Sequence, residues 1–481
     1  MSIADSAAPP AKASGAPVFT KGYRGWLLFV LLMVNVLNLA DRQGMAAVAP
    51  AIKADLKLSD TQLGLILGLG FALFYSLLGL PFARMSERFS RSRIIAGSVA
   101  VFGAAVALCG VAHNFWTFLL FRVGVGVGDA GMGPPVASLI GDHYPREKRA
   151  SAMTVIWLGA PIGAVTGSVL GGLFAQELGW RAWFFALGAP GVLVALIAFF
   201  TLREPVRGMS DPVAASGRAP PKISVVLKFL LAKKSVVHIL IGAALAATAM
   251  NGLGQFLARF IVANYHLGFA QAGQILGMIA GGSMASGLSI GGFGVDWLGK
   301  TDRRWYVWAP AIGLALTTPL FLLALSMPSL TLTVIVLFLG HITLFVYYTP
   351  TLAMAQNMVG ADMRASSAFV VSLVLGLIGI GLGPTLVGVL SDVFASRAFS
   401  LGDFGASCPG GGPPAGAAAG LAKACGDASA AGVRHAIMAM SLLFAWGAVH
   451  FVLAAKHIRR DLDTHYLHPQ DAAVEATEAR T

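Results

Sequence analysis

The chain predicts an all-α membrane protein: twelve transmembrane helices arranged as two six-helix bundles. Three observations lead there. Of 481 residues, 56% are hydrophobic and 12% charged, with a mean hydropathy of +0.75, a balance no ordinary soluble domain has. Apolar runs long enough to cross a bilayer, about 20 residues each, recur along the whole length. The two halves also repeat short polar patterns at nearly constant spacing.

Taken in order, residues 1–22 form an Ala/Pro/Ser-rich tail without the apolar core of a cleavable signal peptide, so the first span is expected to act as its own insertion signal. Spans 1 to 6 fall at 25–47, 61–82, 94–112, 115–140, 150–174 and 182–202, an N-terminal bundle over 23–202. Residues 203–234 open with Arg203-Glu204-Pro205-Val206-Arg207 and continue in Pro, Ala, Gly and basic residues, the composition of a linker. Spans 7 to 12 fall at 235–263, 270–294, 305–326, 330–355, 365–394 and 433–455, a C-terminal bundle over 235–456. A tail, 457–481, follows.

The formal charge is +12. In a soluble chain that surplus would suggest nucleic acid. Here most Lys and Arg fall in the loops that share a side with the termini, so the charge is read as a topology signal and nucleic acid is not expected. Both termini are then cytoplasmic, in the plasma membrane of a bacterium, and the surrounding partner is the bilayer itself. Of three cysteines, Cys109 lies inside span 3, while Cys408 and Cys425 share the loop 395–432 on the outer side. Oxidising conditions there permit a disulfide, and a Gly/Pro-rich loop is equally compatible with two free thiols.

Internal echoes support two related halves. Glu87-Arg88-Phe89-Ser90-Arg91 after span 2 returns as Asp296-Trp297-Leu298-Gly299-Lys300 after span 8, and Arg149-Ala150-Ser151-Ala152 before span 5 returns as Arg364-Ala365-Ser366-Ser367 before span 11. Repeated halves suggest alternating access around a site near the midplane. These loops, with Arg122-x-x-x-Gly126 in span 4 and the Gly/Pro-rich span 5, resemble the major facilitator superfamily. More narrowly, Asn38-x-x-Asp41-Arg42, Leu58-Ser59-Asp60-Thr61-Gln62-Leu63-Gly64, Gly126-Val127-Gly128-Asp129-Ala130 and Gly179-Trp180-Arg181 are similar to the spinster-like branch, whose animal members are linked to lysolipid and sphingosine-phosphate export. Asp129 stands where that branch usually has Glu, and Glu87 and Ser90 stand where the loop motif usually has Asp and Gly.

Charges inside greasy helices carry the functional reading. A charged side chain at bilayer depth costs several kcal/mol on insertion scales, roughly 2.5 to 3.5, so it faces a partner or a watery path. Asn35, Asn38 and Arg42 follow spacings of three and four and share one stripe of span 1, with Asp41 on its flank. Arg122 and Asp129 lie seven residues apart on nearly one face of span 4. Asp41 and Asp129 are the expected proton carriers. Arg42 and Arg122 are expected to switch between these carboxylates and an anionic substrate group, because burial raises a carboxylate's proton affinity and a neighbouring Arg lowers it. The plain alternative is a permanent salt-bridge cluster.

Asn251, Gln255, His341 and Tyr347 are candidates to line the cavity from the second half, and Arg259 is read as a residue that snorkels at the outer end of span 7. The resemblance implies a cytoplasmic gate: Glu87, Arg88 and Arg91 meeting the start of span 11, and Asp296 meeting the start of span 5, through the positive end of each helix. Gly159, Gly163, Gly167 and Gly171 recur every four residues, a smooth face for close helix packing. Gly126-x-Gly128-x-x-Gly131 follows no strand and is no nucleotide fingerprint. The expected function is proton-coupled export or import of an amphiphilic, lipid-like small molecule by a monomer, with the proton as coupling ion and no cofactor or metal. A drug or small organic-anion permease is the alternative. A membrane-embedded lipid enzyme or a channel lacks its required constellation or ring.

Overall fold

The computed structural model describes residues 19–144, 146–206, 223–359 and 363–463. It is helical throughout those residues. Eleven helical stretches are long and apolar enough to cross a membrane. The remaining crossing, span 4, is made of Phe115–Ala130 and Gly133–His143, interrupted at Gly131 and Met132. Two glycines and the Pro134-Pro135 pair remove the side-chain and N–H support that a continuous helix needs there.

Span 1 is one 36-residue helix, Lys21–Leu56, capped by Thr20 and closed by Lys57 in the left-handed conformation. Span 2 opens with a capping box: Ser59 accepts from the Gln62 N–H while Gln62 reaches back to the Ser59 N–H. The linker contains a helix, Ile223–Ala232, whose Val226 and Leu230 are buried. Residues 207–222 and the tails 1–18 and 464–481 lie outside the described residues.

Span 12 departs from expectation. It begins at Ala419, well before the expected 433, and runs 37 residues to Ala455. The run from Ala419 to Gly432 reads as loop because of its glycines and small residues, yet its alanines favour helix strongly enough to extend the span at its start. Cys425 therefore sits on a helix rather than in a loop, where it is disulfide-bonded to Cys408 with Cα atoms 5.7 Å apart.

The glycine face of span 5 packs on span 1. A Cβ on Gly167 would lie 2.4 Å from the Ala40 carbonyl oxygen, and one on Gly171 3.0 Å from the Gly44 backbone. Only glycine allows that approach, and it fixes the rotation of span 1 beside Asp41 and Arg42.

Candidate functional site

At mid-depth in the N-terminal bundle, four charges pair crosswise. Arg122 Nη1 of span 4 donates to both oxygens of Asp41, at 3.1 and 2.9 Å. Arg42 Nη2, from the next residue of span 1, donates to Asp129 Oδ2 at 2.5 Å, and Asn38 Nδ2 donates to the other Asp129 oxygen. Successive residues on a helix point about 100° apart, so Asp41 and Arg42 cannot face one partner. The ring of Phe71 in span 2 separates the pairs, its centroid 4.7 Å from the Arg42 guanidinium carbon and 5.7 Å from that of Arg122. Tyr75, one turn on, covers Arg42 at 5.2 Å.

The pairs differ in access to water. The Asp41 and Arg122 side chains are 0% and 3% exposed; those of Arg42 and Asp129 are 24% and 8% exposed. One pair is dry and the other borders open space. Asn35 lies half-buried against Gly159 of span 5.

From the second half, Asn251 is half-buried and spends its amide on the Ala247 carbonyl within its own helix. Gln255 is half-buried, with a side-chain oxygen that has no partner among the described residues. His341 does not reach the cluster: its Nδ1 bonds the Leu337 carbonyl at 2.8 Å and its ring packs 5.0 Å from Phe321 of span 9. Tyr347 is fully buried, contrary to its expected place on a cavity wall. Its neighbour Tyr348 is 37% exposed and lies within the field of Arg42. The one-residue difference follows from the break in span 10 between Phe345 and Tyr348, which interrupts the helical register set by Leu330–Phe345.

The largest departure is at the two ends. Among the described residues, Arg88, Arg91 and Asp296 do not make the contacts expected of a cytoplasmic gate. Asp296 is exposed and accepts from the Tyr306 hydroxyl of its own bundle at 2.8 Å. Arg88 is exposed, and the Glu87 side chain lies outside the described residues. Arg91 is buried within the N-terminal bundle, paired with Asp142 and, through Nε at 2.6 Å, with Glu204. Glu204 also accepts from the Ser92 N–H at 2.9 Å. Burial pushes the Glu204 carboxyl up, but the Ser92 N–H and Arg91 outweigh it and hold the group below the usual carboxylate range.

At the opposite end the halves are bolted together. Asp60, at the start of span 2, accepts from Lys53 Nζ at 2.7 Å and from Ser391 of span 11 at 2.7 Å, and pairs with Arg259 of span 7. Arg259 also donates to Ser429 of span 12 at 2.7 Å. Asp392 of span 11 accepts from the Asp60 and Thr61 N–H groups at 3.0 and 2.8 Å, so a carboxylate of one half occupies a helix N-terminus of the other. Arg259 therefore does not snorkel; it is 6% exposed and ion-paired. The disulfide-bonded segment rests on this bolt, with Gly410 against the Lys57 backbone and Gly411 against Lys53. Lys53, Asp60 and Asp392 escaped the sequence reading because charges at span ends are ordinary. The Ser59-Asp60-Thr61 motif was the one available signal.

Two helical bundles joined across one end by ion pairs, with a buried, cross-paired charge cluster inside the first, have the form of an integral membrane transporter. The chain belongs to the Major Facilitator Superfamily, whose model matches residues 31–384, and within it to the spinster-like transporters. It is similar to a solved bacterial homologue of the human lysosomal transporter spinster, in an inward-facing and unoccupied conformation, with 30% identity and a TM-score of 0.85 over 92% of this chain and 99% of that one. It is 29% identical to an MFS-type efflux pump of Mycolicibacterium smegmatis over 77% of this chain and 85% of that protein. A probable sphingolipid transporter, spinster homolog 1 of Arabidopsis thaliana, is 28% identical over 42% of this chain and 45% of its own length.

Proposed function

We propose that this chain is a proton-driven transporter of an amphiphilic, lipid-like molecule, working by alternating access as a monomer with both termini cytoplasmic. One observation carries the reading. Of the cluster's two carboxylates, Asp129 pairs with the partly exposed Arg42, whereas Asp41 is sealed against Arg122. Water from the open side reaches Asp129 first. Protonating it removes Arg42's counter-charge and leaves that guanidinium to an anionic headgroup, between the aromatic faces of Phe71 and Tyr75. Asp41 takes the corresponding role when the outer end opens, an event that requires the Asp60, Arg259 and Asp392 bolt to separate.

The name of the Arabidopsis relative supports a lipid-like cargo. The efflux-pump relative favours a drug or small organic anion instead. Uptake into proteoliposomes under an imposed pH gradient, with lysophospholipids, sphingoid phosphates and amphiphilic drugs as cargo, separates the two. Asp129→Asn should abolish the gradient dependence of lysolipid transport and Arg42→Ala should weaken anionic cargo selectively. Full gradient-driven activity in Asp129→Asn would refute proton coupling through this pair.

A further inference from the structure

Near the membrane face on the side of the termini, spans 7 and 12 cross at two glycines. A Cβ on Gly242 would lie 2.9 Å from the Gly447 carbonyl oxygen, and one on Gly447 would lie 3.0 Å from the Gly242 carbonyl oxygen. The helices run antiparallel, and His238 lies four residues before Gly242 while His450 lies three after Gly447. Both imidazoles therefore come to one level, a turn from the crossing. Their Nδ1 atoms are 3.1 Å apart, both rings are half-buried, and Trp446 flanks His450 at 6.4 Å. The transport cluster uses neither residue.

Two ring nitrogens converging at 3.1 Å have two uses. One nitrogen can donate a proton to the other, or both can bind a cation from the same side. With metal–nitrogen bonds of about 2.0–2.1 Å, that separation corresponds to an angle of roughly 100° at a metal ion, close to tetrahedral. Imidazole suits zinc and copper among divalent ions. Among the described residues no group of three or more His, Cys, Asp and Glu gathers to hold a metal, so the pair would be a two-nitrogen chelate completed by water.

We propose that His238 and His450 form a chelating site for a divalent zinc or copper ion that ties the start of span 7 to the end of span 12. The test uses the full chain with any affinity tag removed, titrated with Cu2+ and followed by electron paramagnetic resonance, and with Zn2+ followed by thermal unfolding. Wild type should show two equatorial imidazole nitrogens on copper and a zinc-dependent rise in Tm. His238→Ala and His450→Ala should each lose the second nitrogen, weaken binding by at least about tenfold and abolish the zinc shift. His238→Gln and His450→Gln keep bulk and polarity without chelating, and serve if the alanine variants fail to fold. His435→Ala should change nothing. Unchanged copper spectra in the His238 and His450 variants, or loss of binding on replacing the tail residues His465 and His468 instead, would overturn the site and leave a simple imidazole–imidazole hydrogen bond.

Discussion

The two ends of the molecule use the same physical device in opposite states. At the end away from the termini a carboxylate, Asp392, sits on the N-terminus of span 2 in the other bundle, and Asp60, Lys53 and Arg259 close a buried ionic bolt around it. At the end with the termini, Asp296 accepts from Tyr306 of its own bundle, and Arg91 pairs with Asp142 and Glu204. A helix N-terminus presents unpaired N–H groups wherever it occurs. Which of them receives the partner bundle's carboxylate decides which side is shut.

Removing one member of the bolt should have the largest effect. Arg259→Ala leaves Asp60 facing Lys53 alone in a dry site, and breaking a buried pair in this way costs about 3–5 kcal/mol. Spin labels at exposed Ala54 and Arg397 should move apart in that variant; an unchanged distance would show that packing alone holds the bolted end. Asp392→Asn keeps shape but removes the charge from its bonds to Asp60 and Thr61, a loss of about 1.5–3 kcal/mol read as a partial shift of the same distance.

The smallest effect belongs to the open end. Glu204→Gln weakens the brace on Arg91 without touching the other bundle, at about 1 kcal/mol, and should lower Tm while leaving the distance between positions 54 and 397 alone. Because Glu204's carboxyl is held below its ordinary value of 4.5 in the folded protein, its contribution is present above that value and is lost as pH falls through the lowered one. Acid should therefore destabilise wild type more than Glu204→Gln in that window, and equal acid sensitivity of the two would remove the brace from the account.

Much of this architecture is legible in the residues because the bilayer demands long apolar runs and makes each exception conspicuous. Asp41, Arg42, Arg122 and Asp129 stand out for that reason. Their crosswise pairing does not, since it depends on how spans 1 and 4 are rotated, and that rotation is set by the glycine face of span 5 on Ala40 and Gly44. The bolt is hidden because Lys53, Asp60 and Asp392 lie at span ends, where a charge carries no surprise. Tyr347 is misread in place of Tyr348 because the helix of span 10 breaks between them and the preceding turn. The early start of span 12 is hidden by small residues that suit both helix and loop.

The central claim is that Asp129, paired with Arg42 beside open space, couples proton binding to the change of access. Double electron–electron resonance between labels at positions 54 and 397, recorded across pH in the wild type and in Asp129→Asn, tests it most directly. The account predicts that acidification redistributes the wild-type distances and leaves Asp129→Asn fixed in one population. The same pH-dependent redistribution in Asp129→Asn would contradict it.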